Sequence, residues 1–108
     1  MEQLTIQEKR GANYVLFELS GAINSYNYTE FQAKVYAGIR ETNVVLDLSN
    51  VTGIDSSGLG VIMGAYNDGE ISGHKIYLKS MSPMAQKAVA STGFLDTFDV
   101  IYSVTEVL

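Results

Sequence analysis

The run Val44 to Leu48, Val-Val-Leu-Asp-Leu, most constrains what this chain can fold into. A nearly continuous apolar run of that length suits a central strand covered on both faces, the setting of a parallel sheet. After a short polar loop, the pattern changes to helical, with Leu59, Ile62, Met63 and Tyr66 at helical spacing and an end near Asp68-Gly69. That helix begins through Asp55, Ser56, Ser57 and Gly58, which leaves backbone N–H groups pointing outward as a seat for an anion. The anion can be a bound phosphate or a phosphate carried covalently by Ser56 or Ser57.

The flanking segments repeat the alternation. Leu4 to Glu8 and Tyr14 to Ser20 read as strands joined by a turn, and Gly21 ends the second. Asn27 with Glu30 resembles a capping box and opens a helix whose inner face is Tyr28, Phe31, Val35 and Ile39. Lys75 to Lys79 is a further strand. Ser82-Pro83 is an N-cap with proline at the first helical position, and Met84, Ala85, Ala88 and Val89 form the inner stripe that follows, ended by Gly93. Asp99 to Tyr102 is a short last strand, and Ser103 with Glu106 caps a brief C-terminal helix. The expected fold is therefore α/β: one domain over residues 1–108, with a mixed, mostly parallel sheet of four to five strands and about four helices.

Composition excludes several functions. The net charge is −5 with no cluster of Lys or Arg, which argues against nucleic acid and against an anionic membrane surface. The absence of cysteine removes disulfides, thiolate metal sites and cysteine nucleophiles. No apolar run approaches the roughly 20 residues that span a bilayer, and the N-terminus lacks the pattern of a signal peptide. The expected location is the cytoplasm.

Among candidate sites, Gly58, Gly60 and Gly64 are spaced G-x-G-x-x-x-G, one residue longer than a dinucleotide fingerprint and about ten residues beyond Leu48. No Lys-Ser or Lys-Thr follows, so a phosphate-binding loop is also unsupported. Gly64 is read as a helix-packing position, whereas Gly58 and Gly60 are read as room for a partner backbone. The one histidine, His74, lies in a turn and is read as a surface residue, and Gly53 to Gly58 does not match the hydrolase elbow. Metal-ligand spacing is missing, with Asp96 and Asp99 placed in turns. Tyr26, beside the helix start, is a candidate for a binding surface. For Asp55-Ser56-Ser57 by themselves, ordinary helix capping suffices.

The wider pattern goes further. Val45 to Leu48, Val51 and Ile54-Asp-Ser-Ser-Gly-Leu-Gly60-Val-Ile-Met-Gly64 resemble the signature of the STAS domain, and more narrowly that of bacterial anti-sigma factor antagonists. Leu19-Ser-Gly21, Gly73, Ser82-Pro83 and Thr92-Gly-Phe-Leu95 extend the resemblance over nearly the whole chain. It implies a regulatory binding module with no catalysis and no cofactor. Its partners would be an anti-sigma factor that is also a serine kinase, and a metal-dependent PP2C-type serine phosphatase. Ser56 matches the phosphorylated serine, with Ser57 secondary, and Asn24, Asp55, Ser56, Ser57, Gly58, Leu59 and Gly60 would meet the partner. The unmodified form would sequester the anti-sigma factor and free the sigma factor. Gly21-Ala-Ile-Asn24 departs from the family's G-x-[LI]-D, so a carboxylate near the acceptor is replaced by an amide. The alternatives are a STAS module in another signalling or transport assembly, or a nucleotide- or anion-binding domain without kinase control.

Overall fold

The computed structural model describes residues 3–108. Five strands form one sheet in sequential order: β1 (Thr5–Arg10), β2 (Tyr14–Ile23), β3 (Asn43–Ile54), β4 (Ile76–Lys79) and β5 (Asp99–Ile101). Among the described residues only the β1–β2 hairpin is antiparallel, and the other three pairings are parallel, as the strand–helix alternation predicts. The described residues also form three α-helices: α1 (Tyr28–Glu41), α2 (Ser56–Ser72) and α3 (Pro83–Ala90). The helix expected after Ser103 is a single 3₁₀ turn, Val104–Glu106, and its capping box is formed. A second 3₁₀ turn spans Leu95–Thr97.

Alternation along β3 sets the layers. Val44, Leu46 and Leu48 face a main core shared with Phe31, Val35 and Ile39 of α1, Val61, Ile62 and Ala65 of α2, and Ala85 and Val89 of α3. Val45 faces the opposite side, in a smaller cluster with Leu16, Tyr77, Ile101 and Val107. The C-terminal segment thus covers part of the second face. Beyond it lies Asp47, 8% exposed, whose Oδ1 accepts from the Ser49 N–H and hydroxyl and whose Oδ2 pairs with Lys79 Nζ at 3.1 Å. Burial alone would raise this carboxyl's pKa, but the Ser49 bonds and the Lys79 ammonium outweigh it and hold it below its ordinary value.

Several expectations change. Gly21 does not end β2 but carries φ +99° at a register shift within it, where a Cβ would lie 2.6 Å from the Gln3 carbonyl oxygen. Because β2 continues to Ile23, it pairs with Asn50, Val51, Gly53 and Ile54, so the expected loop before Asp55 is strand. Likewise α2 runs past Asp68-Gly69 to Ser72 and closes at Gly73 in the left-handed conformation. Met84 is exposed rather than inward. The Ser82 cap is as expected: its hydroxyl accepts from Ala85 N–H and donates to the Val51 carbonyl.

Candidate functional site

The extended β3 delivers the chain directly to the start of α2. Its last residue, Ile54, is buried, and Asp55 alone links strand to helix. The Asp55 N–H donates to the Ile23 carbonyl at 3.0 Å, which fixes the ends of β2 and β3 side by side. Asp55 Oδ1 caps α2, accepting from Ser57 N–H at 2.9 Å and Gly58 N–H at 3.3 Å. Its Oδ2 reaches the turn before α1 and accepts from Ser25 N–H at 3.1 Å. The expected anion seat is therefore occupied in large part by the chain's own carboxylate.

Ser56 stands at the first position of α2, exposed, and among the described residues its hydroxyl makes no hydrogen bond. Ser57 is half-buried. Leu59 is half-buried against the main core, leaving part of its side chain at the surface. Asn24 contributes to the turn: its N–H donates to Asn27 Oδ1, and its own Oδ1 accepts from Tyr26 N–H. The capping box expected from Asn27 is not formed, because that side chain braces the turn, with Nδ2 donating to the Ala22 carbonyl.

The glycines divide into two kinds. At Gly58 a Cβ would sit 2.7 Å from a methyl of Ile54 and 2.8 Å from one of Ile23, so the close approach here is to the domain's own sheet. Gly58 is thus needed for the domain's own packing, whatever else it meets. Gly64 adjoins the Tyr36 hydroxyl of α1, consistent with helix packing. At Gly60, exposed in the second turn of α2, a Cβ would meet nothing within 4 Å. Gly60 alone of these three is not required by the fold.

His74 is less superficial than expected. It is half-buried, and its Nδ1 lies 2.6 Å from the Ile39 carbonyl, which makes Nδ1 the protonated nitrogen. It also lies at the opposite end of α2 from Ser56, about 25 Å away at 1.5 Å per residue. No Ser–His pair is assembled there. Among the described residues no cluster of three or more His, Asp or Glu side chains is placed to hold a metal. No described helix is long and apolar enough to cross a membrane.

Sequence reasoning missed two features, Ser25 as a partner of Asp55 and the Asp47–Lys79 pair. They join residues 30 and 32 positions apart, and no local pattern signals either.

The STAS domain family model matches residues 3–107. The chain belongs to the STAS domain family. Solved structures with the same fold include a Thermotoga maritima protein, tm1081, assigned as an anti-sigma factor antagonist. Its TM-score is 0.82 at 22% identity, over 94% of this chain and 89% of that one. The anti-sigma factor antagonist SpoIIAA in its unphosphorylated form matches with TM-score 0.79 at 20% identity, covering 94% of this STAS domain and 91% of that chain. The phosphorylated form of SpoIIAA from Bacillus matches with TM-score 0.74 at 21% identity, over 94% and 95%. This STAS domain thus resembles anti-sigma factor antagonists in fold.

Proposed function

We propose that this STAS domain is an anti-sigma factor antagonist. In this reading the unmodified protein binds an anti-sigma factor with serine kinase activity through the start of α2 and so frees a sigma factor. The same kinase switches it off by transferring the γ-phosphoryl group of ATP to Ser56 Oγ, releasing the hydroxyl proton and ADP. A PP2C-type phosphatase restores the active form by hydrolysis.

The observation that carries this reading is the presentation of Ser56. Its hydroxyl is exposed and free of hydrogen bonds among the described residues, on a helix start that Asp55 fixes to two other segments. A phosphate there adds about −1.5 to −2 charges. The fold tolerates them, since the positive end of the 17-residue α2 dipole lies at this point. An apposed partner must desolvate the same charge, and its affinity falls. Asn24, Asp55, Ser57, Leu59 and Gly60 surround the acceptor as the contact surface, while Gly58 supports it from inside. SpoIIAA, which shares the fold, is known in both unphosphorylated and phosphorylated forms, and this supports a switch of the same kind. The nucleotide- or anion-binding alternative is weakened because Asp55 already occupies the Ser57 and Gly58 N–H groups.

Incubation with the cognate kinase and ATP, followed by intact-mass measurement and peptide mapping, tests the proposal. One phosphoryl group at Ser56, absent in Ser56→Ala, is expected. No gain in mass, together with unchanged partner binding by Ser56→Asp, would refute it.

A further inference from the structure

One side of the sheet ends at β5, which among the described residues pairs with β4 alone. The Ser80 N–H donates to the Ile101 carbonyl at 3.0 Å, so the main chain of Ile101 faces β4, as does that of Asp99 two residues before it. Phe98, Val100 and Tyr102 therefore turn their N–H and C=O groups outward. The chain itself closes two of these three N–H groups. Phe98 donates to the Leu95 carbonyl at 3.2 Å, and Tyr102 to Glu106 Oε2 at 2.7 Å. Val100, between them, has no such partner among the described residues. Beside it lies a groove of about 350 Å³ lined by Met81, Leu95, Phe98, Val100 and Tyr102, with Asp96 as its one charged member among the described residues.

Edge strands are commonly blocked by charged side chains, proline or a bulge. The opposite edge, β1, carries Glu8, Lys9 and Arg10, whereas β5 presents Val100, 38% exposed, at its open position. Charge at β5 lies around the opening instead. Asp96, Asp99 and Glu106 are all exposed, and among the described residues none of them forms an ion pair. Lys79, opposite Ile101, is held by Asp47, and Lys75 shares a separate hollow with Asp99 without pairing to it. A second copy is a poor occupant. Two β5 edges would bring like charges together, and the basic residues of β1 are already paired with Glu18, Glu8 and Glu41.

We infer that the open edge of β5 is a docking site for an extended, basic segment of a partner protein, which joins the sheet as a further strand. The segment exchanges main-chain hydrogen bonds with Val100, lays an apolar side chain in the groove, and sets Lys or Arg against Asp96, Asp99 and Glu106. The edge is two strands away from β3, whose end carries Ser56, so this second surface does not rest on the kinase reading.

NMR titration of the full chain with an octapeptide of alternating lysine and valine tests the inference. The largest shifts are expected over residues 95–102, with Val100 amide exchange slowed about tenfold at saturation by its new hydrogen bond, while residues 56–60 stay unmoved. An octapeptide of alternating glutamate and valine should not bind. Asp96→Asn combined with Asp99→Asn, two surface changes, should weaken the lysine peptide roughly fivefold, the loss of two exposed ion pairs. Val100→Pro removes the outward N–H without breaking a bond to β4 and should abolish binding. Should that variant fail to fold by circular dichroism, the paired Asp variant carries the test. Unchanged Val100 exchange, shifts centred on residues 24–27 and 56–60, or equal affinity for the two peptides would overturn the inference. Protection of Val100 that rises with protein concentration in the absence of peptide would also overturn it, by assigning the edge to a second copy.

Discussion

Gly58 and Gly60 lie two residues apart in one helix, yet replacing each by alanine should move stability in opposite directions. In Gly60→Ala the new methyl meets nothing within 4 Å, so the substitution changes only the intrinsic preference of the backbone. Alanine is favoured over glycine inside a helix by about 0.8–1.0 kcal/mol, and α2 should gain close to that amount. For a domain of this size the gain corresponds to a rise in Tm of roughly 4–8 °C. Gly58→Ala has the same propensity gain, but its methyl would lie 2.7 and 2.8 Å from methyls of Ile54 and Ile23. Both neighbours are buried β-branched side chains with little rotamer freedom. Overpacking of this kind costs about 1–3 kcal/mol, which leaves a net loss of about 1 kcal/mol. Thermal and urea unfolding monitored by circular dichroism would give both values. Calorimetric titration with the cognate kinase would then show whether Gly60→Ala weakens docking while strengthening the fold. A destabilised Gly60→Ala would refute the packing argument. A stabilised one with full affinity would remove Gly60 from the contact surface.

Asp47→Ala strips the partly buried Lys79 ammonium of its partner and should destabilise the fold by about 1–3 kcal/mol at neutral pH. The folded-state pKa of Asp47 is depressed, so its contribution is full above the unfolded value near 4 and is lost as pH falls through the lower folded value. Urea unfolding across that range should accordingly show the gap between wild type and Asp47→Ala narrowing in acid. A constant gap would mean that the carboxylate's ionisation contributes nothing. Ser82→Ala removes both the α3 cap and the bond to the Val51 carbonyl, and a loss of about 1–2 kcal/mol in the same assay is expected. Phe31→Ala, fully buried between α1 and the sheet, should lose about 3–5 kcal/mol.

How much of this was legible in the sequence depended on the range of the interactions involved. Where a short pattern has one physical use, the pattern and the structure agree: Ser82 with Pro83 opens α3, Ser103 with Glu106 closes a capping box, and Val44 to Leu48 is buried strand in the first half of β3. Gly21 and Asn27 show where local rules fail. A glycine in a strand and an Asn three residues before Glu each have two physical uses. The choice between them is made by Gln3 across the hairpin and by the Ala22 carbonyl behind the turn. The polar run from Ser49 to Gly53 reads as loop by composition, yet pairing with the bulged end of β2 extends it as strand. That extension has a functional consequence. It brings Ile23 and Ile54 to the same level, requires glycine at position 58, and places Asp55 where one carboxylate reaches both Ser25 and the first turn of α2. The motif around Ser56 is visible within twenty consecutive residues, Val45 to Gly64, but the frame that presents it comes from a bulge thirty-five residues earlier, and only the fold brings the two together.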